Sequence, residues 1–175
     1  MLGGMGRVSQ AQARENRKRI VETAARLFRE RGVAGVSVAD VMAEVGLTHG
    51  GFYRQFASKD ALVAEAVGQA FGEAGKRLAA ASREDFVRGY LSAEHRDRRG
   101  EGCPAAGFGG DLSHDDQRTA VDAYAEGVDL YARELGSLAD VATLVGALVL
   151  ARATAGTEIS DRVLEAARRA LTGGG

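Results

Sequence analysis

Arg54 lies in the stretch Thr48-His49-Gly50-Gly51-Phe52-Tyr53-Arg54-Gln55-Phe56, and its setting suits surface chemistry better than a core. At about 100° per residue, turning Phe52 and Phe56 inward puts Gly50 and Arg54 roughly opposite them, with Gly51 and Tyr53 on the flanks. A guanidinium so placed can make two parallel hydrogen bonds to guanine O6 and N7, or hold a phosphate. Two consecutive glycines each cost about 1 kcal/mol inside a helix, so something must compensate, and close approach of backbone N–H groups to phosphate is one such gain. A second reactive group is Cys103, directly before Pro104 and downstream of Arg96, Arg98 and Arg99. At a helix start its thiol pKa would fall, and the thiolate could sense oxidants or electrophiles. The plainer reading is a half-buried small residue, and no second cysteine is present to resolve a sulfenic acid. His49, His95 and His114 are scattered without ligand spacing, so no metal is expected. No oxyanion or nucleophile-elbow pattern surrounds Cys103, and Gly107 to Gly110 lacks the lysine and strand of a phosphate loop. Neither an enzyme nor a cofactor is expected.

The elements that must present Arg54 are readable. Ser37 is a good N-cap, with Asp40 three residues on as the second half of a capping box. Val38, Val41, Met42 and Val45 then form one apolar helical stripe, which Gly46 ends as a left-handed C-cap. Thr48 is placed to cap a second short helix carrying Phe52 and Phe56. Two such helices joined by a tight turn make a helix-turn-helix.

Gly46-Leu47-Thr48, Gly51-Phe52-Tyr53, Phe56 and Ser58-Lys59-Asp60-Ala61-Leu62 together resemble the signature of the tetracycline-repressor (TetR) family, and Arg17 to Gly32 is similar to that family's first helix. The resemblance covers roughly Arg14 to Val67. Gly50 stands where many members carry a polar residue or proline, and Gln55 where histidine is frequent; both departures concern which DNA is read. The resemblance implies base-reading positions at His49, Gly50 and Tyr53, and backbone-contacting ones at Ser37, Thr48, Gly51, Gln55 and Lys59. It also implies dimerisation through the last two helices.

Charge agrees with a two-part chain. Through Asp60 there are 10 Lys and Arg against 6 Asp and Glu, whereas the remainder carries 13 against 18. A basic head on an acidic body is the footprint of a DNA-binding unit joined to something else. Arg14, Arg17, Lys18 and Arg19 crowd the entry to the first helix, either as a solvated helix start or as phosphate contacts. Lys59 in the first turn of the next helix opposes the helix dipole, which makes sense if that end faces phosphate. One proline among 175 residues and almost no alternating apolar pattern predict an all-α fold. Met1 to Ala13 reads as a mobile arm without a signal peptide, and Val141 to Ala151 is too short to span a bilayer. With a single cysteine, this points to a cytoplasmic protein that does not enter a membrane.

Beyond the head, Ser58 caps a linking helix to about Ala81. Ser82 with Asp85 opens another, and His95 to Gly102 reads as a charged loop. Pro104 begins a short helix to Leu112, and Ser113 with Asp116 opens one through Leu135. Ser137 with Asp140 opens Leu138 to about Ala155, and Ser160 caps the last. The stretch from Leu138 is apolar on most of its circumference and demands cover on nearly every side. The simplest cover is the same helix of a second subunit, with Ala142, Gly146, Ala147 and Ala153 small enough for close approach; burial by the preceding helix is the alternative. The expected architecture is a three-helix head over 14–65, joined by the linking helix to a ligand-binding and dimerisation bundle over 66–175. Phe71, Phe86, Tyr90, Phe108, Tyr124 and Tyr131 are candidates to line an effector cavity, or are plain core. The expected function is a homodimeric regulator, a repressor, released from a palindromic double-stranded operator by a small-molecule effector. Two rivals are a DNA-binding redox or electrophile sensor switched through Cys103, and a helical dimer that serves only protein interaction.

Overall fold

The computed structural model describes residues 5–113 and 118–173, and all regular structure among them is helical. The head comprises α1 (Met5–Arg31), α2 (Val38–Val45) and α3 (His49–Phe52). From it α4 (Lys59–Ala79) runs into a body of α5 (Arg83–Tyr90), α6 (Ala93–Asp97), α7 (Pro104–Leu112), α8 (Arg118–Leu135), α9 (Leu138–Ala153) and α10 (Glu158–Thr172).

The head closes around Ile20, Ala24, Leu27 and Phe28 of α1, all buried at the spacing of one helical face, together with Val41, Met42, Val45, Phe52 and Phe56. Burying each large side chain contributes about 1.5–3 kcal/mol. The capping box at α2 is complete: Asp40 N–H donates to Ser37 Oγ at 3.1 Å, and Ser37 N–H donates to Asp40 Oδ2 at 2.7 Å. These bonds from Ser37 hold the Asp40 carboxyl below its ordinary value. Gly46 ends α2 at φ +77°, and Leu47 N–H donates to the Met42 carbonyl at 2.9 Å, completing the left-handed cap.

In the body α4 lies against α8, and α9 against α10, while the head end of α4 packs on α1. The Phe71 ring stands edge-on to Tyr124 and Tyr131, with both centroids at 5.5 Å. A Cβ at Gly127 would lie 2.2 Å from that ring, so α4 and α8 approach this closely only because Gly127 has no side chain. No single helix among the described residues is long and apolar enough to cross a membrane.

Several boundaries differ from the sequence reading. Met5 to Ala13, expected as an arm, continue α1, because no proline interrupts a run of adequate helix formers. The charged stretch from His95 contains the end of α6, capped by Ser92, whose Oγ accepts from His95 N–H at 3.1 Å. α10 starts after Thr157, not Ser160; Ser160 is buried, donates to the Ala151 carbonyl at 2.7 Å and accepts from Arg96 at 3.0 Å. It therefore ties helices together instead of capping one. Ser113 closes α7 through its bond to the Gly110 carbonyl, and Asp116 and His114 lie outside the described residues. α4 and α9 end two residues before the expected Ala81 and Ala155, within ordinary end fraying.

Candidate nucleic-acid interface and effector cavity

α3 is a single turn, and the chain continues as turns: Gln55 and Phe56 N–H groups donate to the Phe52 carbonyl at 2.8 and 3.0 Å. Phe52 and Phe56 stack in the core with centroids 5.3 Å apart. Thr48, His49, Gly50, Tyr53 and Arg54 are exposed side by side, and Gln55 is half-buried. Tyr53 stands 63% exposed with its ring edge-on to His49 and Phe52. Thr48 holds the N-cap position without a side-chain cap bond, which leaves its hydroxyl free to turn outward. Arg54 makes no hydrogen bond or ion pair with the described residues.

The glycine pair is informative. A Cβ on Gly50 would meet nothing within 4 Å, and one on Gly51 only ordinary contacts with Thr48 at 3.6 Å and Met42 at 3.7 Å. Neither glycine is required by packing inside the chain, so the destabilisation they impose is offset by nothing internal.

Other basic residues turn out to build the head. Arg17 donates to the Gln55 carbonyl and to Glu65, and its guanidinium lies 4.1 Å from the Phe56 ring centroid. Arg19 donates to the Val45 carbonyl at 2.8 Å, satisfying the end of α2. Lys59, half-buried, donates to the Val33 carbonyl at 2.6 Å. That bond is a structural reason for a lysine at the start of α4, whose N-cap is Ser58 with Ala61 N–H at 3.1 Å. Lys18 pairs loosely with Glu22, and Arg14 is exposed without a partner among the described residues.

In the body, a cavity of about 370 Å³ opens between α4, α5, α6, the start of α7 and α8. Phe86, Tyr90 and Tyr131 line it, and so does Cys103. Phe71 and Phe108 do not; both are core, and Tyr124 is half-buried with its hydroxyl donating to the Ala105 carbonyl at 2.8 Å. Burial raises the Tyr90 and Tyr131 phenols above the ordinary tyrosine value, and the adjacent Cys103 thiol adds to it. The Tyr90 hydroxyl is buried with the Cys103 thiol, a weak hydrogen-bonding group, as its neighbour. Cys103 is itself the N-cap residue of α7 but only 3% exposed. Of the three arginines upstream, Arg96 is engaged with Asp97 and Asp161 and Arg98 with Glu94 and Glu101, while Arg99 is exposed.

His95, which the sequence reading placed only at the start of a charged loop and without metal-ligand spacing, organises this wall. Its Nδ1 lies 2.7 Å from the Tyr90 carbonyl, and Cys103 N–H donates to its Nε2 at 3.0 Å. The carbonyl must receive a proton and Nε2 must accept one, so the ring is the neutral Nδ1–H tautomer. Burial, together with Arg152 and Arg77, lowers its pKa below 6.5 despite the Tyr90 bond. The spacing from Ser92 to His95 was the available signal, hidden by the charges around it.

A short exposed helix behind a left-handed turn, set on a three-helix head that a long helix joins to a separate bundle, defines the class of helix-turn-helix regulators. The family model described as bacterial regulatory proteins, tetR family, matches residues 20–66. The regulator TtgR of Pseudomonas putida is 37% identical over 81 residues, which cover 46% of this chain and 38% of TtgR. The repressor DhaR of Mycobacterium sp. is 27% identical over 103 residues, 55% of this chain and 52% of DhaR. The chain thus spans about half or less of these relatives' length. A solved TetR-family regulator from Cytophaga hutchinsonii shares the fold with a TM-score of 0.70 at 21% identity, over 93% of this chain and 96% of that one. Residues 20–66 are thus similar to the tetR family of bacterial regulatory proteins, and the chain as a whole shares the fold of a solved regulator of that family.

Two outcomes follow from this geometry. Gly50→Ala should stabilise the fold by up to about 1 kcal/mol in urea unfolding, yet weaken DNA binding in titrations. An alanine that stabilises and binds equally well would leave the glycine pair without a role at DNA. For His95, a folded pKa below the unfolded one means that the unfolded chain takes up the proton more readily. Its contribution is present above pH 6.5 and lost as pH falls through the lower folded value. The melting temperature should drop over that range in the wild type and less in His95→Gln, as read by thermal melts across pH.

Proposed function

We propose that the chain acts as a homodimeric, sequence-specific repressor, with a DNA-binding unit over 14–65 and a ligand-binding and dimerisation unit over 66–175. A small-molecule effector releases it from a palindromic operator. The observation that carries this reading is the placing of exposed apolar bulk. Among the described residues the large exposed hydrophobics are Tyr53 on α3 and then Leu138, Val149, Leu150 and Ile159 on α9 and the start of α10. Such a patch is an interaction surface. Leu138, Ala142, Gly146, Val149 and Ala153 share one outward face of α9, while Ala147 and Leu148 belong to the subunit's own core. Pairing α9 and α10 with their copies gives a four-helix, self-complementary interface. Each head then offers α3 to the major groove of one half-site, at centres about 34–36 Å apart or a multiple.

Base reading falls to His49, Gly50, Tyr53 and Arg54, and backbone contact to Ser37, Thr48, Gly51, Gln55 and Lys59. The name of DhaR as a repressor supports that sign of regulation. The cavity beside Tyr90 is of a size for a small effector. Ala74 and Arg77 of α4 line it, so an occupant pushes on the helix that carries the head. A preference of a few kcal/mol for the non-binding arrangement suffices to switch it. The protein would do this in the cytoplasm.

Leu150→Glu should be monomeric in sedimentation and lose tight binding to operators selected from random duplexes. A dimeric, fully active variant would sink the interface. On the same operators Arg54→Ala should lose about 1–3 kcal/mol at one base position, whereas uniform loss would make Arg54 a phosphate contact. The placing of Cys103 in the cavity wall favours a second reading, in which thiol modification is the input. Peroxide or an electrophile should then release wild type but not Cys103→Ser; identical titrations leave ligand binding as the sole input.

A further inference from the structure

Four arginines from head and body converge on a groove of about 410 Å³: Arg29 and Arg31 at the end of α1, Arg99 after α6, and Arg152 near the end of α9. None of them makes an ion pair among the described residues, although arginines elsewhere do, Arg17 with Glu65 and Arg83 with Asp140 among them. Arg152 donates to the carbonyls of Arg96 at 3.1 Å and His95 at 3.2 Å. Arg31 and Arg99 are exposed. Arg29 is only 8% exposed, reaches a single acceptor, the Gly102 carbonyl at 3.4 Å, and keeps a buried Nε without any partner. Burial, then repulsion from Arg77, draws its pKa below the ordinary arginine value. The one carboxylate on the groove, Glu30, is already held through both oxygens by Arg26 at 3.1 Å. A Cβ on Gly107 would lie 2.7 Å from Arg29 Cγ, so the missing side chain of α7 is what lets this guanidinium stem lie in the seam.

An unpaired buried guanidinium is costly unless an anion neutralises it, and its planar donor fork matches carboxylate and phosphate oxygens. The geometry points to a binding site for a small polyanion, a phosphate ester or a polycarboxylate, at the seam of α1 with α7 and α9. More than one negative charge is favoured, because the groove's lining carries four arginines against one carboxylate, Glu30, which shares Arg26 with Glu44. The groove shares no lining residue with the cavity beside Cys103 and is a separate input; its Val149 and Ala153 edge borders the α9 face assigned to the partner copy, while its four arginines lie outside that face. Its occupant bridges Arg29 and Arg31 of the head to Arg99 and Arg152 of the body, so binding is coupled to the head's position.

The test is thermal unfolding of the full chain with pyrophosphate or citrate against sodium chloride at equal ionic strength. Wild type should show a saturable rise in Tm with at least one of them; pyrophosphate alone assigns phosphate esters, citrate alone polycarboxylates. Arg99→Ala, exposed and unpaired, should unfold like wild type without anion and need about tenfold more anion for the same rise, the loss of one charge-assisted contact. Arg29→Met should unfold at or above the wild-type temperature and lose the response. The site is overturned if neither anion exceeds chloride, or if both variants respond as wild type does. It is also overturned if random-sequence duplex DNA displaces pyrophosphate, which would assign the groove to the DNA backbone.

Discussion

α4 is committed at both ends, and the remaining geometry depends on that. Its first turns pack on α1, where Lys59 reaches the Val33 carbonyl, and its later turns lie on α8, where Phe71 meets the bare backbone of Gly127. A continuous helix keeps its length because each turn is bonded to the next. The contact at Gly127 leaves no slack for Phe71 to absorb a displacement.

The positive charge of the head is divided by use. Arg17, Arg19 and Lys59 neutralise carbonyls at the ends of α3, α2 and the loop after α1, so much of the local basicity serves to hold three short segments in register. Arg54 is left outside, beside two glycines that nothing within the chain requires. A helix of one turn gains little from its own hydrogen bonds. It persists here because Phe52 and Phe56 anchor it from below and Arg17 from the side.

Two weakly satisfied buried polar groups lie near one another where α1 meets the body. Among the described residues the Arg29 Nε is buried without a partner, and the Tyr90 hydroxyl is buried with only the weakly bonding Cys103 thiol beside it. They flank the segment from Gly102 to Pro104: Arg29 donates to the Gly102 carbonyl, and the Tyr90 phenol lies beside Cys103. Arg152 and His95 brace the same segment, His95 through the Cys103 amide.

Local chemistry alone determined the capping box at Ser37, the glycine stop at Gly46, the helix from Pro104 to Leu112 and the all-α character, because caps, stops and periodic stripes act through neighbours in sequence. The exposed row from Thr48 to Arg54 was legible for the same reason: fixing two phenylalanines inward fixes the opposite face. Partner choice across the chain was not. That Lys59 reaches the Val33 carbonyl, that Arg17 is engaged, and whether Phe71 or Phe86 lined the cavity depended on which helices met, 26 and 38 residues apart for the first two. Likewise Ser160 looked like a cap until α9 and α6 supplied the Ala151 carbonyl and Arg96 that it bonds. A side chain's type limits the bonds it can make, but only tertiary packing brings the second atom within 3 Å or so.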